Sequence, residues 1–114
     1  MIDQVRPSQL AAWFQSHAAA GRPAVVLDVR EPGEVAIAGV RPDGFTVVAM
    51  PMGLVPVRLH ELDPAQPVAV LCHHGARSQR VALFLQQEGF GQVANIAGGI
   101  ELWSHEVDPA VPRY

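Results

Sequence analysis

Val68-Ala69-Val70-Leu71-Cys72-His73-His74-Gly75-Ala76-Arg77-Ser78 is the stretch on which the reading of this chain turns. Its first four residues are apolar and unalternating, as in a strand covered on both faces. From Arg77 to Glu88 the pattern changes period. Val81, Phe84 and Leu85 form the stripe of an amphipathic helix, and Gly89 stands where a C-terminal cap belongs. The stretch therefore reads as a buried strand, a tight loop that begins at a cysteine, and a helix.

The same punctuation extends in both directions. Ala24–Val29 is a second apolar, β-branched run, and weaker strand patterns lie at Thr46–Ala49 and Val93–Ile96. Leu10, Trp13, Phe14 and His17 predict a helix over Pro7–Ala19, with Pro7 in its first turn and Gly21 and Pro23 as its stop. Leu54–Leu62, with an early Pro56, predicts a short helix. Gly99–Val107 predicts a last one, with Ile100 and Trp103 facing inward. Strands alternating with helices imply an α/β fold: a parallel sheet of about five strands with helices on both faces. Ligands of such sheets bind beyond the carboxyl ends of the strands, where Asp28 and Cys72 both fall.

Composition narrows the chemistry. At 114 residues the chain is expected to form a single domain over residues 1–114. Its formal net charge of −3 argues against binding nucleic acid or an anionic membrane. All eight basic residues are arginine, so Schiff-base chemistry and the phosphate-loop lysine are absent. The one cysteine excludes an internal disulfide, a CxxC redox pair and a Cys-rich zinc site. Residues 1–20 do not read as a signal peptide and no apolar run is long enough to span a bilayer, so a cytoplasmic protein is expected.

The loop itself carries the chemistry. A strand–loop–helix turn gathers backbone N–H groups, and the helix adds its unpaired donors and positive dipole end. An anion suits that cradle, and the same field stabilises a thiolate. Gly75 permits a conformation or close approach that a side chain would hinder. Arg77 supplies a permanent charge and a planar fork of donors suited to an oxyanion. The candidate site is Cys72 as nucleophile, with the anion-binding loop His73, His74, Gly75, Ala76, Arg77 and Ser78 around it.

At these residues the chain resembles the rhodanese family of thiosulfate sulfurtransferase-like domains, in particular its small single-domain members. Leu27-Asp28-Val29-Arg30-Glu31 is similar to the family's early strand-end signature, followed by Ile37-Ala38-Gly39. Pro51-Met52-Gly53 is similar to a mid-domain motif, and Ala97-Gly98-Gly99-Ile100 with Trp103 to the C-terminal one. The ending Val107–Tyr114 is also similar, so the likeness runs through nearly the whole chain. The resemblance implies a rhodanese-like fold and a transferase that needs no cofactor or metal. In that mechanism Cys72 takes a sulfane sulfur from thiosulfate or a similar small donor as a persulfide. It then passes the sulfur to a thiol, a protein acceptor or cyanide. Arg77 would contribute to the loop's charge and shape, and His73 and His74 to its rim. One segment departs from the family: Gly39–Phe45 lacks the Gly-His pair that many members carry there.

Plainer readings stand beside these. Asp28 and Arg30 are possible supporting residues of the site, but Asp28 also suits a structural hydrogen-bond or ion-pair role. Arg30 and Glu31 suit charges near a helix start. Adjacent His73 and His74 do not readily converge on one metal ion. His17 suits a packed or rim position, Trp13 and Trp103 suit core anchors, and His60 and His105 receive no role. Two other functions compete. A Cys-dependent phosphatase of the related fold uses a Cys-x5-Arg loop, whereas four residues separate Cys72 from Arg77 here. A non-catalytic sulfur-carrier or regulatory module would share the scaffold. A thiol-relay arsenate reductase would need a second cysteine.

Overall fold

In the apolar runs, successive residues face opposite sides of one sheet, and both sides are covered. Val25 and Leu27 of β2 (Val25–Asp28) join one core cluster with Val68 and Val70 of β4 (Val68–Leu71). Val26, Ala69 and Leu71 join the other. A strand buried on both faces leaves no position for polar alternation, which is why these segments read as continuous apolar runs. The computed structural model describes residues 2–17 and 22–114.

The sheet has five parallel strands in the order β1-β5-β4-β2-β3, where β1 is Asp3–Val5, β3 is Thr46–Ala49 and β5 is Val93–Ile96. From β2 the chain first moves outward to β3, then crosses to β4 on the other side. The carboxyl ends of β2 and β4 thus flank the point where the winding reverses. Cys72 directly follows β4 there. The first face is covered by α4 (Ala76–Gln87), through Val81, Ala82 and Leu85, and by α3 (Val55–Arg58), through Val55. The second is covered by α1 (Leu10–Ser16), through Leu10, Trp13 and Phe14, and by α5 (Gly99–Glu106), through Ile100 and Trp103. Fully burying side chains of this size contributes about 1.5–3 kcal/mol each. The expected α/β architecture with helices on both faces is the observed one.

Several local expectations change. Asp3–Val5 forms a strand the apolar pattern does not reveal, because it lies at the sheet edge with Asp3 and Gln4 exposed. The first helix opens as a single 3-10 turn, Pro7–Gln9, before α1 begins. The expected end of that helix at Ala18 and Ala19, and its stop at Gly21, lie outside the described residues. The helix expected over Leu54–Leu62 is three short pieces: 3-10 turns at Met52–Leu54 and Leu59–Glu61 enclose α3. Pro56 is tolerated because it sits in the first turn of α3.

A further helix, α2 (Pro32–Ile37), follows β2. It starts in a capping box: Pro32 opens the first turn, and Glu34 reaches back to accept the Glu31 amide at 2.9 Å. Its shortness and exposure hide it from an apolar stripe, since none of its residues is buried. At the far end of α4, Gly89 takes φ +95° and Phe90 turns back to donate to the Leu85 carbonyl at 3.1 Å.

Candidate active site

Cys72 sits at the floor of the loop, 1% exposed. The chain leaves β4, turns, and re-enters a helix within a few residues. Gly75 makes that possible as the N-terminal cap of α4 with φ +113°. The Gly75 amide points back and donates to the Cys72 sulfur at 3.0 Å, and Ser78 Oγ lies 3.2 Å from the same atom. Burial pushes the Cys72 thiol up. The Ser78 hydroxyl and the amides of Ser78, Gly75 and Arg77 pull it down and prevail, so it lies below the ordinary thiol range.

The loop is held from behind by α5. Ile100 donates its amide to the Cys72 carbonyl at 2.9 Å, and Glu101 donates to the His73 carbonyl at 3.2 Å. This approach requires Gly99, with φ +57°: a Cβ there would stand 2.4 Å from the Cys72 carbonyl oxygen and 2.5 Å from that of His73. The helix N-terminus thus spends its first amides on the loop backbone. The side of the sulfur is closed by Ser78, which is fully buried and bonded to Asn95 Oδ1, with Asn95 held in turn by Gln4.

Asp28 and Arg30 come together. Both are buried, and the Arg30 guanidinium donates from Nε and Nη2 to the two Asp28 oxygens at 2.9 and 2.7 Å. The pair braces the turn after β2, and neither residue is hydrogen-bonded to the Cys72 sulfur. Arg30 Nη1 reaches the Tyr114 hydroxyl at 3.1 Å, and that hydroxyl donates to Glu34 at 3.0 Å.

Arg77 departs from the expectation that its fork would face an oxyanion. Nη1 and Nη2 donate in parallel to Glu34 at 2.7 and 2.8 Å, so the fork is occupied from within the protein. Arg77 holds the Glu34 carboxyl down to about 2, and Glu34 in turn pushes the guanidinium further up. The groups that point at the sulfur itself are the amides of Gly75, Arg77 and Ser78 and the Ser78 hydroxyl. Glu34 was not among the residues picked out from the sequence. Its signal is the third position of a helix that begins Glu31-Pro32. Tyr114, Asn95 and Gln4 carry no comparable local signal.

His73 and His74 form the rim. Their rings stack with centroids 4.0 Å apart, and Tyr114 stacks on the other face of His73, also at 4.0 Å. Burial and then the neighbouring His74 push the His73 imidazole below its ordinary value. His73, His74 and Glu101 bring one ligand atom each within 4.8 Å of one another. Of the three, Glu101 already accepts from Arg113. A separate cavity of about 750 Å³ opens by Ala24 and Pro67, at the opposite end of the sheet from Cys72.

The model of the rhodanese-like domain family matches residues 10–106. The chain belongs to that family. Among rhodanese-like relatives, a sulfurtransferase of Allochromatium vinosum is 37% identical over 87 residues, 76% of this chain and 78% of that protein. The thiosulfate sulfurtransferase GlpE of Stutzerimonas stutzeri is 34% identical over 94 residues, 80% of each chain. The chloroplastic rhodanese-like/PpiC domain-containing protein 12 of Arabidopsis thaliana is 42% identical over 93 residues; this match spans 80% of the present chain but 30% of the plant protein. In three dimensions, a rhodanese-related protein of Thermoplasma volcanium superposes with a TM-score of 0.74 at 26% identity, covering 92% of this chain and 93% of that one. A rhodanese-like domain protein of Staphylococcus aureus gives 0.71 at 22% identity, covering 90% and 91%. Among the described residues no helix is long and apolar enough to cross a membrane.

Proposed function

We propose that this rhodanese-like domain, acting as a single unit over residues 1–114, is a sulfurtransferase that carries sulfur on Cys72. The observation that carries the reading is the Cys72 sulfur at the floor of a loop whose Gly75 amide points at it from 3.0 Å. The names borne by the Allochromatium and Stutzerimonas relatives support the same class of reaction. The Cys72 thiolate attacks the outer sulfur of thiosulfate or a similar sulfane donor. The donor's S–S bond breaks and sulfite departs with the electron pair, leaving Cys72 as a persulfide. An acceptor thiolate then attacks the outer persulfide sulfur, takes it away, and regenerates the Cys72 thiolate. Cyanide in place of the thiolate yields thiocyanate. Two successive half-reactions on one nucleophile imply ping-pong kinetics. The loop amides hold the charge that moves between the sulfur and the leaving group. Neither step needs a metal or cofactor. The partners are therefore a small sulfur donor and a thiol or protein acceptor, in a compartment reducing enough to keep a lone thiol free; the cytoplasm fits this.

The phosphatase reading is weaker on geometry. Its arginine must wrap a phosphate, whereas the Arg77 fork is filled by Glu34. The deciding experiment is intact mass spectrometry after exposure to thiosulfate. One added sulfur atom, removed by cyanide and absent in Cys72→Ser, supports transfer. A protein that stays unmodified, or that instead hydrolyses an aryl phosphate, refutes it. A protein that loads sulfur but never turns over with any thiol is the carrier module.

A further inference from the structure

Asn95 is a 4% exposed residue of β5 whose amide orientation follows from its partners. Nδ2 donates to Gln4 Oε1 at 2.9 Å and to the Gly75 carbonyl at 3.2 Å. Turning the amide over would set Oδ1 against the Gly75 carbonyl oxygen, two acceptors face to face. Oδ1 is therefore the atom that meets Ser78 Oγ at 2.5 Å, and it only accepts. Ser78 has a single hydroxyl proton, and a second acceptor, the Cys72 sulfur, lies 3.2 Å from the same oxygen. Two acceptors share one proton.

We propose that Asn95 is a positioning residue that competes with the Cys72 sulfur for the Ser78 proton and so favours the states in which that sulfur is uncharged. With the thiol protonated, the S–H donates to Ser78 Oγ and the hydroxyl donates to Asn95, so every group is satisfied. When the thiol proton leaves to solvent, the hydroxyl rotates toward the thiolate and Asn95 Oδ1 loses its buried donor. That loss opposes ionisation. In a persulfide the charge lies on the outer sulfur. The inner sulfur is then a poor acceptor, and the hydroxyl returns to Asn95. Asn95 thereby favours the sulfur-loaded state over the empty thiolate. This last consequence rests on the sulfur-transfer reading, whereas the effect on ionisation does not. The titratable and charged groups around the loop are Arg77 on α4 with Glu34 of α2 across it, Asp28 at the end of β2 with Arg30, Tyr114 against His73 and Glu34, and Glu101 on α5 beside His73 and His74 and paired with Arg113. Among the described residues, none of these is hydrogen-bonded to Ser78 or Asn95.

The test is the pH profile of Cys72 alkylation by iodoacetamide, which needs no sulfur donor. In Asn95→Ala and Asn95→Val the inflection falls by about half a unit to one unit, the size of one neutral hydrogen bond. Below both inflections the thiolate fraction is then about three- to tenfold larger, and alkylation is faster. In a Ser78→Ala background the same Asn95 substitutions shift nothing, because the shared proton is gone. An unchanged or raised inflection, or an equal shift without Ser78, overturns the proposal. If the Asn95 variants fail to fold, the wild-type protein answers by NMR. The Asn95 side-chain amide resonances should titrate with the Cys72 inflection, and cease to do so in Ser78→Ala. Amide resonances that pass through the inflection unmoved overturn the proposal. A protein that shows the shifts yet never loads sulfur refutes the sulfur-transfer reading alone.

Discussion

Arg77 and Glu34 face each other through two parallel hydrogen bonds, of 2.7 and 2.8 Å, that tie the start of α4 to α2. The Arg77 guanidinium is chiefly what holds the Glu34 carboxyl at about 2, against an ordinary 4.5. A carboxyl depressed by folding contributes stability above its unfolded value, and that contribution is lost as pH falls through the folded one. Urea-midpoint measurements should therefore show stability falling between about pH 4.5 and 2. Glu34→Gln should flatten that part of the profile and lower the plateau at neutral pH. A profile identical in the two proteins would remove the pair from the stability of the site.

The cradle around Cys72 predicts how its reactivity responds to pH. The thiol lies below the ordinary range, so iodoacetamide alkylation should rise with pH through an inflection below the free-thiol value of about 8.5. Ser78→Ala removes the nearest side-chain hydroxyl and should move the inflection upward. An inflection at or above the free-thiol value in the wild type would contradict the cradle.

Gly99 is needed for contact with the loop backbone. A Cβ there meets two carbonyl oxygens well inside van der Waals distance, at a φ that L side chains rarely adopt. Gly99→Ala should cost about 2 kcal/mol or more in urea unfolding, because backbone cannot yield as a flexible side chain does. Gly53 is the control. A Cβ there meets nothing within 4 Å, and Gly53→Ala should change stability by no more than about 0.5 kcal/mol.

The buried pair of Asp28 and Arg30 should be costly to halve. Arg30→Ala leaves a carboxylate of 1% exposure without its cation, for about 3–5 kcal/mol of lost stability. The double variant Asp28→Ala with Arg30→Ala should recover part of that loss, because no lone charge remains buried. Denaturant unfolding of the two single variants and the double measures the coupling directly.

How much of this was legible beforehand follows the range of each interaction. The runs at Val25–Asp28 and Val68–Leu71 announced strands because burial on both faces leaves only apolar side chains. The edge strand Asp3–Val5 and the exposed helix α2 escaped because neither carries such a stripe. Cys72 was picked out by its place after a strand and before a glycine and a helix, all within a few positions. Asp28 and Arg30 read either as structural charges or as supports of the site, and their bidentate pairing two positions apart braces the turn after β2.

By itself the sequence determined the four buried or apolar strand and helix signals, the parallel α/β class and the chemistry available in the loop, since these depend on spacing within about a dozen residues. Only the tertiary structure decided where the polar groups spend their hydrogen bonds. Arg77 reaches Glu34 across 43 positions, Ser78 reaches Asn95 across 17, and Asn95 reaches Gln4 across 91. No local propensity links such residues. Their partners are chosen by the crossing connections that bring α2 beside α4 and lay β1 against β5. Each buried donor and acceptor then pairs with what the packing places nearest.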